Sequence, residues 1–239
     1  KALHLSLKIL PLEKEALGFY CSGHPCTLYQ EEFDIWGVTP LIKIRQTERT
    51  ISIAGVITQM RVMFNKKQEK IAFITLQDAT GTFELGVFSD QYPLVRDKLK
   101  EDHILCIYGT VQKDEQGNLR FRVKSISDLA ETRARFRAVI ALHMLASDLT
   151  HAQVQTLKQS LEPHRSAQGV PLYLTYQSKE GKAHLKFGSA WRVRPEPSLM
   201  IQLQKICGIG SDKQCILYPD HPDYPAGVQA QTALNTQTH

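Results

Sequence analysis

The stretch KIAFITLQDATGTFELGVF, residues 70–88, contains two short segments in which alternate side chains are apolar. Successive side chains of a β-strand point to opposite faces of the sheet, so such alternation predicts strands with one buried face. In the first segment the predicted buried face consists of Ala72, Ile74 and Leu76, and Phe73 falls on the opposite face. The intervening residues 78–81, DATG, are typical of a tight turn. The stretch therefore predicts two antiparallel strands joined by a hairpin.

The same period of two recurs on both sides of this hairpin. Five segments rich in Ile, Val, Phe and Thr are predicted to be strands: 50–64, 70–78, 81–88, 102–114 and 119–129. A helix is predicted over 89–99, between the third and fourth strands. Three strands, a helix and two further strands are typical of an OB-fold, a five-stranded and partly open β-barrel. Gly55 and Gly86 fall inside strands, where a small barrel has to bend.

The predicted fold class is mixed, with different structure on each side of the barrel. We expect a helical lead-in over 1–45, the OB-fold over 46–129, a small α+β domain over 130–208 and a flexible tail over 209–239. The lead-in is predicted to contain a helix that ends at GHP, 23–25, and a second short helix over 27–33. The α+β domain is predicted to have strands at 135–145, 170–177 and 183–193, with helices at 149–164 and 198–207.

Composition favours a globular protein: 42% of the 239 residues are hydrophobic, 22% are charged, and the net charge is +5. The chain contains neither a transmembrane-length apolar run nor a recognisable targeting segment, so we expect a cytoplasmic protein without membrane contact. Five cysteines without regular spacing predict reduced thiols. The first residue is Lys rather than Met, which suggests a piece of a longer polypeptide.

Candidate catalytic and metal sites are weak. Cys21, His24 and Cys26 could supply zinc ligands, but a second ligand pair at suitable spacing is missing, and the same residues are typical of a helix end. The sequence has no phosphate-binding Gly-x-x-x-x-Gly-Lys loop and no Asp-x-Asp pair for two-metal chemistry. We therefore predict no catalytic residue, no metal ligand and no cofactor in this segment.

Basic and aromatic residues on the barrel predict a nucleic-acid-binding surface. The loop between the first two strands is predicted to carry Arg61, Phe64, Lys66, Lys67 and Lys70, and the last strand is predicted to present a basic stripe of Arg120, Arg122 and Lys124. The cations would contact phosphates, and Phe64 and Phe73 would stack on unpaired bases. Acidic residues nearly balance the basic ones in the barrel, so a purely structural or protein-binding barrel stays open as an alternative.

Two stretches carry a resemblance to a known family. EKEALGFYCSGHP, 13–25, followed by the segment 51–90, resembles the C-terminal part of the bacterial DNA polymerase III alpha subunit, a replicative DNA polymerase. The likeness covers residues 13–128 and continues with weaker motifs to about 208, in the stretch ending WRVRPEPSLMIQLQKICG.

The resemblance implies a place in DNA replication. It implies that the barrel contacts single-stranded template DNA and that the last domain binds the clamp-loader tau subunit and other replisome subunits. It also implies that Mg²⁺ and the nucleotidyltransferase chemistry of the parent DNA-directed DNA polymerase lie outside this segment. Two other interpretations remain: an anticodon-binding barrel of a tRNA-binding protein, and a protein–protein assembly module without a DNA role.

Overall fold

The computed structural model describes residues 23–147, 149–207 and 215–220. The chain divides into two compact units, with the boundary between Asp128 and Leu129. The predicted lead-in helix before Gly23 lies outside the described residues, as does most of the predicted tail. None of the helices in the described ranges is long and apolar enough to cross a membrane.

The first unit contains the five predicted strands: β1 Thr47–Phe64, β2 Lys70–Gln77, β3 Thr82–Val87, β4 Ile104–Lys113 and β5 Leu119–Asp128. They form one antiparallel sheet in the order β3-β2-β1-β4-β5. Its helices are α1 Gln30–Ile35, α2 Tyr92–Val95 and the 3₁₀ turns Pro25–Tyr29 and Leu41–Lys43. The predicted strand–strand–strand–helix–strand–strand order is confirmed.

The helix predicted over 89–99 is much shorter than expected. Only Tyr92–Val95 is α-helical. After it the backbone closes with tighter i→i+3 bonds, such as the 2.9 Å bond from the Lys98 amide to the Val95 carbonyl. Val95 and Leu99 are nevertheless buried against the barrel, so the segment keeps its packing role without a continuous helix.

The long strand β1 lets the sheet curl into a barrel. Its first half pairs with β4 and its second half pairs with β2. At Gly55 the chains approach so closely that a Cβ atom would lie 2.8 Å from the Gln77 carbonyl oxygen, as expected for a glycine at a barrel bend. On the open side, Phe83 of β3 meets Phe121 of β5 edge-to-face, with ring centroids 6.4 Å apart. The predicted buried residues of β2, Ala72, Ile74 and Leu76, are fully buried in the core.

The lead-in is fixed to one end of the barrel by the turn between β2 and β3. The Asp78 carboxylate accepts hydrogen bonds from the Thr80 and Gly81 amides inside the turn, at 2.7 and 2.9 Å. Its other oxygen accepts a 2.8 Å bond from the Leu41 amide. The tight turn expected from DATG is thus present, and it also anchors the preceding segment.

The second unit is an α+β structure. Its strands are β6 Val139–Leu145, β7 Arg165–Val170, β8 Leu172–Gln177, β9 Lys182–Lys186 and β10 Ile216–Leu217, and its helices are α3 Leu129–Arg135, α4 His151–Leu161 and α5 Pro197–Ile206. Four of these strands form one sheet in the order β10-β6-β8-β9. β6 and β8 are parallel, and β9 is antiparallel to β8. β10 lies within the segment predicted as a flexible tail. It pairs antiparallel with β6, and its residue Ile216 and the preceding Cys215 are buried.

Three details of the second unit differ from the prediction. The strand predicted from residue 135 begins at Val139, because Arg133 is buried in a preceding helix and donates a 2.6 Å bond to the Pro195 carbonyl. The strand predicted over 183–193 ends at Lys186. The strand β7, which the sequence did not predict, is held by bridges to Val193.

Candidate nucleic-acid interface

The strands of the hairpin between β1 and β2 extend into the segment predicted as a loop, and the turn between them is short. Arg61, Phe64 and Lys70, which were predicted in the loop, lie on the two strands, and only residues 65–69 form the turn. These three residues lie on strands because the cross-strand pairing continues as far as Phe64 opposite Lys70. Phe64 is 60% exposed. The turn residues Lys66 and Lys67 are also open to solvent.

A polar network sets the shape of this turn. The Asn65 side-chain oxygen accepts bonds from the Lys67 and Glu69 amides, at 2.8 and 2.9 Å. The Glu69 carboxylate accepts bonds from the Asn65 amide group and the Ser89 hydroxyl, each at 2.8 Å. These bonds lower the pKa of Glu69, the one from Asn65 most strongly. Since Ser89 follows β3, the network ties the lysine-bearing turn to the end of that strand.

Two phenylalanines flank a glycine on the outward face of β2 and β3, opposite to the buried side chains Ala72 and Leu85. Phe73 of β2 lies opposite Gly86 of β3, and Phe88 follows the end of β3 with 57% of its surface exposed. A Cβ atom on Gly86 would lie 3.3 Å from the Phe88 ring and 3.4 Å from the Phe73 ring. The glycine therefore allows both rings to lie over the strand, which forms an aromatic surface. The sequence placed Phe73 on this face but missed Phe88.

The predicted basic stripe on β5 is present, but its three cations have different surroundings. Arg120, Arg122 and Lys124 are all exposed and alternate with inward-facing residues. Arg120 forms a 3.0 Å ion pair with Asp114, and Lys124 donates a 2.9 Å hydrogen bond to Thr50. In the part of the chain that the structure describes, the Arg122 side chain has no such partner. Arg122 is therefore the cation of the stripe that is most available to a phosphate.

The remaining predicted cations also differ in whether another side chain of the barrel already interacts with them. Arg61 lies 3.5 Å from Glu84, an exposed pair that contributes little to stability. Lys67 lies near the Glu69 carboxylate and interacts with it electrostatically. Within residues 23–147, Lys66 and Lys70 have no side-chain ion pair or hydrogen bond. The surface is thus basic but partly compensated by acids.

A groove of about 460 Å³ lies where β3 and β5 approach each other. Phe88 and the residues that follow it form one wall, and β5 together with the end of β4 forms the other. The lining residues are Phe88, Asp90, Gln91, Gln112, Arg120, Phe121, Arg122 and Val123. A second depression of about 270 Å³ lies beside Lys70 and Tyr92. The predicted stripe therefore borders an open groove rather than a flat surface.

The turn between β4 and β5 should respond to acid through Asp114. Desolvation acts against the ionised carboxylate, but bonds from the Asn118 amide, Arg120 and the Gln116 amide outweigh it and lower its pKa below the usual 3.8. Because the pKa is lower in the folded state, the ionised carboxylate stabilises the fold at pH values above its unfolded-state pKa. This contribution is lost as the pH falls through the folded-state pKa.

We expect an NMR titration to give Asp114 a pKa below 3.8, and the Arg120 side-chain signal to shift at the same pH as the ion pair breaks. Asp114→Asn should abolish the Arg120 shift. A titration midpoint at or above the usual value would contradict the hydrogen-bonded turn.

The His-Cys segment contains no reactive centre among its described residues. His24 Nδ1 accepts a 3.2 Å bond from the Cys26 amide and caps the 3₁₀ turn. Cys26 is buried, which raises the pKa of its thiol to about 12, far above that of a reactive thiolate. In the ranges that the structure describes, no group of three His, Cys, Asp or Glu side chains could hold a metal ion. Cys21 lies outside those ranges.

Comparisons with known proteins match both units. Residues 51–129 match the family described as an OB-fold nucleic acid binding domain, and residues 156–208 match the C-terminal domain of DNA polymerase III subunit alpha. A solved structure of the mitochondrial single-stranded DNA binding protein Rim1 from S. cerevisiae aligns with 34% of this chain and 95% of its own, at 16% identity and a TM-score of 0.29.

Curated relatives cover more of the chain. The DNA polymerase III subunit alpha of Escherichia coli K12 is 33% identical over 204 residues, which are 84% of this chain and 18% of the relative. The same subunit of Pseudomonas fluorescens is 34% identical over 206 residues, 85% of this chain and 17% of the relative. The chain thus spans less than a fifth of the length of these relatives. The resemblance seen in the sequence is confirmed, and the chain is related over most of its length to the C-terminal region of bacterial DNA polymerase III alpha subunits.

Proposed function

We propose that this chain acts in DNA replication as the C-terminal accessory region of a cytoplasmic replicative DNA polymerase, and that its OB-fold holds single-stranded template DNA. The observation that carries the proposal is the outward face of the barrel, where exposed Phe88 and half-buried Phe73 lie over Gly86. The β1–β2 hairpin beside it carries the cations of the turn and exposed Phe64, which pairs with Lys70 and so faces the other side of the hairpin from Phe73. Phosphates need cations and unpaired bases need ring faces, and this surface offers both.

Each predicted site residue has a role in this proposal. Lys66, Lys67, Lys70 and Arg122 contact phosphates directly. Arg61, Arg120 and Lys124 contribute more weakly, because each is already bonded to another side chain. Phe64 and Phe73 offer stacking surfaces, each worth about 1–3 kcal/mol per stacked base.

The DNA-binding part is tested by fluorescence anisotropy of the full chain with labelled oligo-dT at increasing salt. Single-strand binding through phosphate contacts should weaken with a log–log slope of about −0.7 per contact. With four to seven contacting cations the expected slope lies between roughly −3 and −5. Affinity that does not change with salt, or no binding at all, would contradict the proposal.

The second unit is proposed to bind other replisome subunits, and the clamp-loader tau subunit in particular. The match of residues 156–208 to the polymerase C-terminal domain supports a role in the same assembly. In this proposal the segment has no catalytic residue and no cofactor, and Mg²⁺ serves the catalytic part of the whole polymerase.

A pull-down separates the two roles. The full chain is expected to capture the tau subunit, whereas residues 1–129 alone should lose tau and keep their affinity for oligo-dT. Tau capture by residues 1–129, or no capture by the full chain, would contradict the assignment. If residues 1–129 lost DNA binding as well as every protein partner, the result would instead favour an assembly module without a DNA role.

A further inference from the structure

The groove between β3 and β5 contains chemistry that phosphate contacts and simple stacking do not use. Its volume of about 460 Å³ lies in the range of small-ligand pockets. Besides Phe88 and Arg122, its lining includes the acid Asp90 and the amide residues Gln91 and Gln112. A surface that bound only the backbone of a polyanion would gain nothing from a carboxylate at this position.

The walls of the groove are held in place by packing and hydrogen bonds. Gln91 Nε2 donates a 2.9 Å bond to the Val123 carbonyl and lies 3.4 Å from the Lys124 carbonyl, which fixes the segment after β3 to β5. The floor is Phe121, which is buried and packed edge-to-face on Phe83. The groove is therefore a formed feature of the barrel.

Asp90 and Arg122 carry opposite charges, and the fold leaves both side chains available to a ligand in the groove. Both side chains are exposed, both line the groove, and neither forms an ion pair or hydrogen bond with any residue in the described ranges. A guanidinium binds a phosphate through charge-assisted bonds. A carboxylate only accepts hydrogen bonds, so near DNA it suits the amino group of a base and repels carbonyl oxygens and phosphates.

We propose that this groove holds one nucleotide of a single strand and selects bases that carry an exocyclic amino group, cytosine above all, over thymine. The base lies against Phe88, its phosphate lies at Arg122, and Asp90 accepts a hydrogen bond from the amino group. Cytosine offers an N4 amino donor where thymine offers an O4 acceptor. The inference rests on the proposed function, because it assumes that single-stranded DNA crosses this face.

The test compares binding of the full chain to oligo-dC and oligo-dT of about 20 nucleotides, longer than the roughly 4–16 that one OB-fold covers. We expect the wild-type chain to bind oligo-dC about tenfold more tightly. Asp90→Asn keeps the size of the side chain but adds donors for thymine O4, so the ratio of the two affinities should fall to about one. Phe88→Ala should weaken both oligonucleotides.

The matched control is Glu101→Gln. Glu101 is an exposed acid just before β4, and the groove residue Gln112 lies at the opposite end of that strand, so Glu101 is far from the groove along β4. This variant should leave the ratio unchanged. If free deoxycytidine monophosphate at micromolar concentration displaced labelled oligo-dC, the groove would be a site for a free nucleotide. A site for a nucleotide within a strand should retain the labelled oligo-dC at that concentration.

The binding measurements distinguish a failure of the proposed function from a failure of the nucleotide groove. Failure of both oligonucleotides to bind would overturn the proposed function and this inference with it. Salt-dependent binding with equal affinity for both, or a preference that Asp90→Asn leaves intact, would overturn the nucleotide groove and leave the proposed function standing.

Discussion

Replacement of Lys66, Lys67, Lys70 and Arg122 by alanine is expected to weaken binding of single-stranded DNA on the order of 100-fold at near-physiological salt. Each phosphate contact contributes about 0.7 to the salt slope for single strands, so four lost contacts reduce the slope by roughly 3. All four side chains are exposed, and removal of their charges should not disturb the core. The effect is therefore expected on affinity rather than on stability.

Four cations elsewhere on the same unit provide the control. Lys43, Arg49, Lys98 and Lys100 lie outside the β1–β2 turn and the groove. Their joint replacement removes the same net charge and should weaken binding only several-fold, through the long-range field. Anisotropy titrations at three salt concentrations measure both variants. Equal losses in the two variants would mean that net charge alone, and no defined surface, attracts the DNA.

Gly109→Ala is expected to destabilise the barrel by about 3 kcal/mol, at the upper end of the usual cost of overpacking. Gly109 lies at the irregularity in the pairing of β4 with β5. A Cβ atom there would overlap the carbonyl oxygen of Arg122 and press against the Phe121 ring. Backbone cannot move aside as a flexible side chain can, so the two strands have to separate at the position that carries the groove.

Hydrogen exchange of β4 and β5 amides should show this loss, because a chain with two units need not unfold in one transition. Gly81→Ala serves as the control. A Cβ atom at Gly81 meets only the Ile42 amide, at an ordinary 4.0 Å, and the change should stay within about 0.5 kcal/mol. Protection factors in Gly109→Ala that match those of the wild type would contradict the close strand contact.

Local alternation made the barrel strands predictable. The period of two identified the five strands and placed Phe73 and the β5 cations outward, because strand geometry alone decides the face on which a side chain lies. Weaker patterns failed in the second unit: RFRAVIALHML lacks a clear boundary between helix and strand, and the burial of Arg133 depends on the distant Pro195 carbonyl. Such long-range bonds cannot be inferred from spacing.

The candidate site was only partly predictable for the same reason. Phe88 looks like the last residue of a strand, and its role depends on Gly86 and on the approach of β5, which is distant in sequence. The ion pair that engages Arg120 depends on how the β4–β5 turn folds around Asp114. The groove exists because the curled sheet brings the end of β3 near β5, so neither strand alone indicates it.

The central claim is that single-stranded DNA lies on the outward face of the barrel, and photocrosslinking tests it most directly. The full chain would be irradiated with an oligonucleotide that contains 4-thiothymidine, and the crosslinked peptides would be identified by mass spectrometry. We predict crosslinks to peptides that contain Phe64, Phe73 and Phe88, lost in the four-cation variant. Crosslinks confined to residues 129–220, or equally frequent in that variant, would contradict the account.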